Sequence, residues 1–283
     1  MKIGALASSL RKPLPETLNA FAEMGLQGVQ IGVTREFLGY SEEKLGEIRE
    51  LCRKNNLEIS ALCGDLGGDP FHVENECMER AEILCRIVDI ACQLGTKVIT
   101  THIGVVPEDP ADPVYPLMVK SIGHAAEYAA SKGVTLAIET GPEKAEVLRS
   151  FLETVDSKGL GVNLDPANLR MVSCVDPVHA VEVLGRWIVH THAKDGVNLY
   201  PGSAAARYGM RNPDGSKREF REEPARFKEV PLGQGQVPWD AYLNALRKVG
   251  FDGFLTIERE CGDDPAGDIR LAVNFLREKL GEA

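Results

Sequence analysis

No apolar run in this 283-residue chain reaches the roughly 18–20 residues a helix needs to cross a bilayer. The amino terminus, MKIGALASSL, has no usable signal-peptide pattern and runs straight into strand-like sequence. Positive charge is short as well, with Lys+Arg 32 against Asp+Glu 42 and a formal net charge of -10. Nucleic acid and anionic membrane surfaces both require a basic footprint, so both are disfavoured as partners; a divalent cation is not. The seven cysteines (Cys52, Cys63, Cys77, Cys85, Cys92, Cys174 and Cys261) are odd in number, scattered and without a CxxC pair. That pattern argues against a disulfide framework and for reduced thiols in a cytoplasmic protein. Missing too is a glycine-rich dinucleotide fingerprint after the first strand, which tells against an open doubly wound sheet.

What is present is a regular alternation. At 43% hydrophobic, the chain can bury a sizeable core as one domain spanning residues 1–283. Short apolar runs predict strands at 3–9, 28–33, 57–63, 97–104, 134–141, 160–168, 188–195 and 253–261. Amphipathic segments predict helices at 14–24, 41–54, 74–94, 113–132, 142–153, 177–184, 239–249 and 266–280, with a Gly/Asp loop at 64–70. Ser41-Glu-Glu-Lys supplies an N-cap with acid in the first turn. Gly25, Gly95, Gly133, Gly159 and Gly250 stand where helices should end, as C′ glycines. Eight strand–helix pairs are the count that closes a (β/α)8 TIM barrel, an α/β fold. One stretch breaks the rhythm. Residues 196–236 are polar, studded with Gly and Pro and mixed in charge, and they predict a long loop after the seventh strand, over the barrel mouth, acting as a lid or a subunit contact.

The chemistry gathers around Ile188-Val-His-Thr-His-Ala-Lys-Asp195, a β-branched run that ends in imidazole, ammonium and carboxylate groups. Residues two apart on a strand share a face, so His190 and His192 project together while Val189 and Thr191 project the other way. Three further strand ends carry Glu139 (LAIETG), Asp165 (VNLDPAN) and Glu258 (LTIERE), each behind apolar neighbours of opposite parity. Parity then sends Glu139, Asp165, His192 and Glu258 toward the barrel axis. Three carboxylates and an imidazole at one mouth cannot all lose water unless a cation neutralises them. An oxygen-rich set with one nitrogen suits Mn²⁺, Mg²⁺ or Co²⁺.

IETGPE, NLDPAN, HTHAKD, PLGQGQVPW and GFLTIERE, in this order and on these strands, resemble the xylose isomerase-like TIM-barrel superfamily. Within it they are similar to the sugar phosphate isomerase/epimerase branch that includes inosose dehydratase, hydroxypyruvate isomerase and the ketose 3-epimerases. The resemblance spans nearly the whole barrel and is strongest from Glu139 to Cys261. It implies one divalent metal ion, Mn²⁺ first and Mg²⁺, Co²⁺ or Zn²⁺ as alternatives, held by Glu139, Asp165, His192 and Glu258. It also implies that Glu139 and Glu258 move protons on opposite faces of a sugar carbon. The expected activity is a metal-dependent isomerase or epimerase that abstracts a proton beside the carbonyl of a ketose or related polyol. A lyase of the same barrel, by inosose-type dehydration or 3-keto-glycoside cleavage, would use the same base.

Around this set, His102 is a candidate substrate contact or a buried structural histidine. His190 fits support of the layer above it, or core packing. Lys194 could meet a substrate hydroxyl or carboxylate, or form a salt bridge to Asp165 or Asp195. Asn168 could bind a sugar hydroxyl or cap the turn after Asp165, and Glu260 stands at the rim while Arg259 points outward. His72 lies in a loop that could reach the mouth, whereas His124 and His179 fall on helices, apart from the site. An endonuclease IV-like nuclease is disfavoured by the acidic balance and by the lack of an Asp-x-His pair after the seventh strand. A non-catalytic sugar-binding protein would require a lost ligand, and none is lost. The last loop, Glu260-Cys-Gly-Asp-Asp-Pro, would repel phosphate unless Arg211, Arg218 or Arg221 folded inward, so a neutral sugar or cyclitol is expected. A homo-oligomer is compatible with all of this.

Overall fold

A computed structural model describes residues 1–66 and 70–281, so positions 67–69 of the expected Gly/Asp loop lie outside the described residues. The strands are β1 (Lys2–Leu6), β2 (Gly28–Gly32), β3 (Glu58–Cys63), β4 (Val98–Thr101), β5 (Thr135–Glu139), β6 (Leu160–Leu164), β7 (Ile188–Ala193), β8 (Asp195–Tyr200), β9 (Arg226–Val230) and β10 (Phe254–Ile257). The helices are α1 (Leu14–Glu23), α2 (Glu42–Lys54), α3 (Cys77–Leu94), α4 (Tyr115–Ser131), α5 (Ala145–Val155), α6 (Pro166–Met171), α7 (Pro177–Leu184), α8 (Ala204–Tyr208), α9 (Trp239–Lys248) and α10 (Pro265–Leu280). β1 to β7 and β10 close a parallel barrel in which β10 pairs with both β7 and β1. The helices surround it, and the chain is a single-domain TIM barrel.

Strand parity explains the barrel's two faces. Gln30, Thr100, Asn163, His190 and Thr256 are all buried and hydrogen-bond among themselves inside the barrel. Alternate positions, Ile31, Ile99, Val162, Leu255 and Ile257, join the hydrophobic core instead. β6 stops at Leu164, short of the expected end at 168, because Asp165 caps α6 and Pro166 at its first position has no N–H for a ladder. Gly25, Gly95, Gly133 and Gly250 adopt positive φ as helix ends require, but Gly159 does not. Its role is close approach: a Cβ there would stand 2.0 Å from the carbonyl oxygen of Ala126 on α4.

The segment after β7 is more ordered than its composition suggests. β8 and β9 form an antiparallel ribbon, with α8 between them, and the whole arm is tied to the barrel's other loops. Arg218 makes a forked ion pair with Asp112, Nη2 to Oδ1 at 2.7 Å. The Arg211 N–H donates to His72 Nδ1 at 3.4 Å, and the Glu74 N–H donates to the Pro213 carbonyl at 2.9 Å. His72, expected in a loop that could reach the mouth, is instead fully buried as an anchor for this arm.

At the other end of the arm Asp195, itself buried, accepts from the N–H groups of Gly233 and Val237 at 3.0 and 3.2 Å and from Trp239 Nε1 at 3.0 Å. That is why PLGQGQVPW closes into a tight turn ahead of α9. Asp195→Ala leaves the Val237 and Trp239 donors buried and unpaired, at about 1–3 kcal/mol each. The variant should lose about 3 kcal/mol or more of unfolding free energy in urea; an unchanged midpoint would remove Asp195 from this role.

Candidate metal centre and active site

The four expected side chains do meet. Glu139 is the last residue of β5, Asp165 the cap of α6, His192 lies within β7, and Glu258 follows β10. All four side chains are buried, and one donor atom from each lies within 4.8 Å of the others. His192 Nδ1 stands 3.5 Å from Glu139 Oε1, 3.5 Å from Asp165 Oδ2 and 3.3 Å from Glu258 Oε2. Its other nitrogen, Nε2, is 3.1 Å from Gln30 Oε1, which accepts an N–H there and leaves Nδ1 facing the carboxylates. Gln30 is itself held by donating to Thr100 Oγ1 at 2.7 Å.

Each carboxylate is oriented by a neighbour. Asn163 Nδ2 donates to Glu139 Oε2 at 3.2 Å, and Asn168 Nδ2 donates to Glu139 Oε1 at 3.0 Å. Asn163 in turn accepts from His190 Nδ1 at 2.9 Å, while His190 Nε2 faces the Thr256 hydroxyl at 3.0 Å. Burial and the neighbouring His192 hold His190 well below its ordinary pKa, so it is the neutral imidazole this donor–acceptor pairing needs. Asp165 Oδ1 accepts from the N–H groups of Ala167 and Asn168, both at 2.8 Å. Its Oδ2 is buried, accepts no hydrogen bond and points into the cluster.

That orphaned oxygen is the test of fit for a cation, because a buried carboxylate oxygen is costly unless something positive meets it. Burial raises the Asp165 pKa, offset only in part by His192 and Lys194. For Glu258 burial acts the same way, but Lys194 and His192 outweigh it and hold its carboxyl well below the usual range. Burial disfavours a charged His192, yet Glu258 and Glu139 overcome this and raise it well above its ordinary value. A proton or a cation at Nδ1 therefore answers the same excess of negative charge. Three oxygen donors and one nitrogen suit a hard divalent ion.

The surrounding candidates take up positions that parity alone does not specify. Lys194 Nζ donates to Glu258 Oε2 at 2.8 Å and also pairs with Glu260, not with Asp165 or Asp195. His102 is half exposed rather than a buried structural residue, with Nδ1 at 3.1 Å from Asp65 Oδ2 and Nε2 at 3.5 Å from Glu139 Oε1. The charge of Glu139 is the chief cause of its raised pKa. Asn168 neither caps the turn nor stands free, since its amide holds Glu139. Arg259 turns away from the axis to bind Glu229 and Asp268. On the outer helices, His124 pairs with Glu82 and His179 with Glu146. Gln30 and Asn163 were not anticipated. Neither was Tyr208 at the end of α8, partly exposed, whose phenol burial pushes up to about 12 and which feels the charges of Lys194, Asp165 and Glu139.

The family model described as xylose isomerase-like TIM barrel matches residues 18–279. An uncharacterized protein of Methanocaldococcus jannaschii is 24% identical over 226 residues, covering 74% of this chain and 68% of that protein. A xylose isomerase domain protein from Planctomyces limnophilus superposes with a TM-score of 0.74 at 25% identity, over 94% of this chain and 93% of its own. D-psicose 3-epimerase, solved in the presence of D-fructose, shares the fold with a TM-score of 0.71 at 19% identity, over 99% of this chain and 100% of its own. Sugar epimerases thus stand among the structural neighbours.

Glu143, in the turn of IETGPE, lies apart from the four donors. Its carboxyl is buried, Oε2 has no partner, and burial pushes its pKa up to about 8. The native chain then keeps a proton that the unfolded chain releases, so this residue's contribution to stability falls as pH rises from about 4.5 through about 8. Glu143→Gln should flatten that decline and unfold at higher urea than the parent near pH 8. Identical pH profiles for the two proteins would contradict it.

Proposed function

We propose a function for a chain that belongs to the xylose isomerase-like TIM-barrel family: moving a proton beside the carbonyl of a ketose or related polyol, with one divalent metal ion held by Glu139, Asp165, His192 and Glu258. The observation that carries it is Asp165 Oδ2, buried, accepting no hydrogen bond and facing three other donors at the carboxyl end of the barrel. When bound, the metal supplies Lewis acidity at the substrate's carbonyl oxygen and enediolate.

The chain's own groups do the rest. Glu258 is kept ionised by Lys194 and serves as base. Glu139, locked by Asn163 and Asn168, stands beside His192 Nδ1 as Glu258 does and returns a proton from the second direction. His102, in contact with Glu139 and open to solvent, exchanges that proton with water. The buried Lys194 and the exposed Glu260 above it bind substrate hydroxyls, and the arm carrying Tyr208 serves as a lid that limits water. The substrate is neutral: Arg218 is already committed to Asp112, and the loop after β10 is acidic. If the product were dehydrated rather than isomerised, the same base would have acted with loss of hydroxide, and product analysis separates the two outcomes.

EDTA should abolish solvent-deuterium incorporation at the α-carbon of ketoses, and Mn²⁺ or Co²⁺ should restore it; full exchange in metal-free protein would remove the Lewis acid. Glu258→Gln should lower turnover by about 10²–10⁴-fold while metal content falls far less. Equal loss of both would reduce Glu258 to a ligand only.

A further inference from the structure

A cavity of about 730 Å³ opens beside the metal centre, between the carboxyl ends of β1, β2 and β3 and the helices α1 and α2. It shares walls with the site. Asp65 lines it while its carboxylate bonds His102, which reaches Glu139, and the thiol of Cys63 in its wall feels the charges of Glu139 and Glu258. Away from that junction the lining turns apolar, with Leu14, Val33, Phe37, Tyr40, Ile48 and Leu51. Phe37 and Tyr40 form a tilted aromatic pair, ring centroids 4.8 Å apart. Of the charged residues at its edge, Lys44 and Glu47 are already paired with each other at 2.7 Å.

Cavities of about 300–1,000 Å³ hold drug-sized ligands, more than one sugar ring. A bare monosaccharide here would bury hydroxyls against carbon, which is costly without partners. Gly32 adds an independent observation. It ends β2 in the cavity wall, its φ is not in the left-handed region, and nothing lies within 4 Å of where a Cβ would stand. Neither backbone conformation nor packing demands glycine at that position, so the space beside it in the cavity wall is open.

Resting on the sugar reading above, we infer that this cavity binds an aryl or alkyl substituent carried by the substrate. The preferred substrate is then a glycoside or similarly substituted keto sugar, its sugar ring at the metal centre and its apolar group between Phe37, Tyr40 and Leu51. No polar partner is needed there, because burial of apolar area supplies the affinity.

Calorimetric titration of the metal-loaded protein with phenyl and methyl β-D-glucopyranoside tests this. The phenyl compound should bind about tenfold more tightly or better. Gly32→Leu should erase that preference while leaving methyl glucoside binding and the melting temperature unchanged, and Tyr40→Ser should reduce it. Equal binding of the two glycosides by the parent protein, or an undiminished preference in Gly32→Leu, would overturn the assignment. Deuterium exchange into unsubstituted ketoses reports separately on the reaction. Exchange without a phenyl preference sinks the cavity, and a phenyl preference with no exchange into either the ketoses or a phenyl-substituted keto sugar supports it while sinking the proton-transfer reading.

Discussion

Three carboxylates share one buried pocket with an imidazole, and mutual repulsion among Glu139, Asp165 and Glu258 is the constraint the rest of the barrel answers. Isolated charges in such a place are among the costliest arrangements a fold can hold. The compensation is built from several sides. Lys194 reaches Glu258, His102 reaches Glu139, and Asn163 and Asn168 donate to Glu139. One oxygen is left over, Asp165 Oδ2, and it faces the middle of the group. A charge cluster held in this way from its sides, with its centre left open, could hold a cation.

The inside of the barrel carries this order downward. Below the four donors, Gln30 with Thr100 and Asn163 with His190 and Thr256 make two polar groups that meet at His192, where many barrels place branched aliphatic residues. Each member fixes the next: Thr256 and His190 set Asn163, Asn163 sets Glu139, and Gln30 sets which nitrogen of His192 faces upward. Such layers hold donors to a narrow geometry while the helices outside supply stability through ordinary apolar packing. Asp165 serves both purposes at once, capping α6 with one oxygen and offering the other to the site.

Much of this was legible in the order of residues. Eight apolar runs separated by helix-length segments specify a barrel, and the parity of LAIETG, VNLDPAN, HTHAKD and LTIERE placed all four donors on one axis. What parity could not specify was reach. Lys194 has a long, flexible side chain, and its choice of Glu258 and Glu260 over Asp165 and Asp195 depends on a loop 64 residues further on. The arm after β7 reads as featureless because its anchors are remote: Arg218 to Asp112 spans 106 positions and Arg211 to His72 spans 139. Gln30 and Asn163 sit one layer below the strand tips, and a polar residue within a buried strand was their only signal. Gly159 was assigned a helix end when its true constraint is a passing carbonyl of α4.

The measurement that bears most directly on the central claim is anomalous diffraction from crystals soaked in Mn²⁺. The account predicts a single strong peak enclosed by Glu139 Oε1, Asp165 Oδ2, His192 Nδ1 and Glu258 Oε2. A pocket without a peak, or manganese found only at the outer-helix group of Glu82, Cys85 and His124, would contradict it.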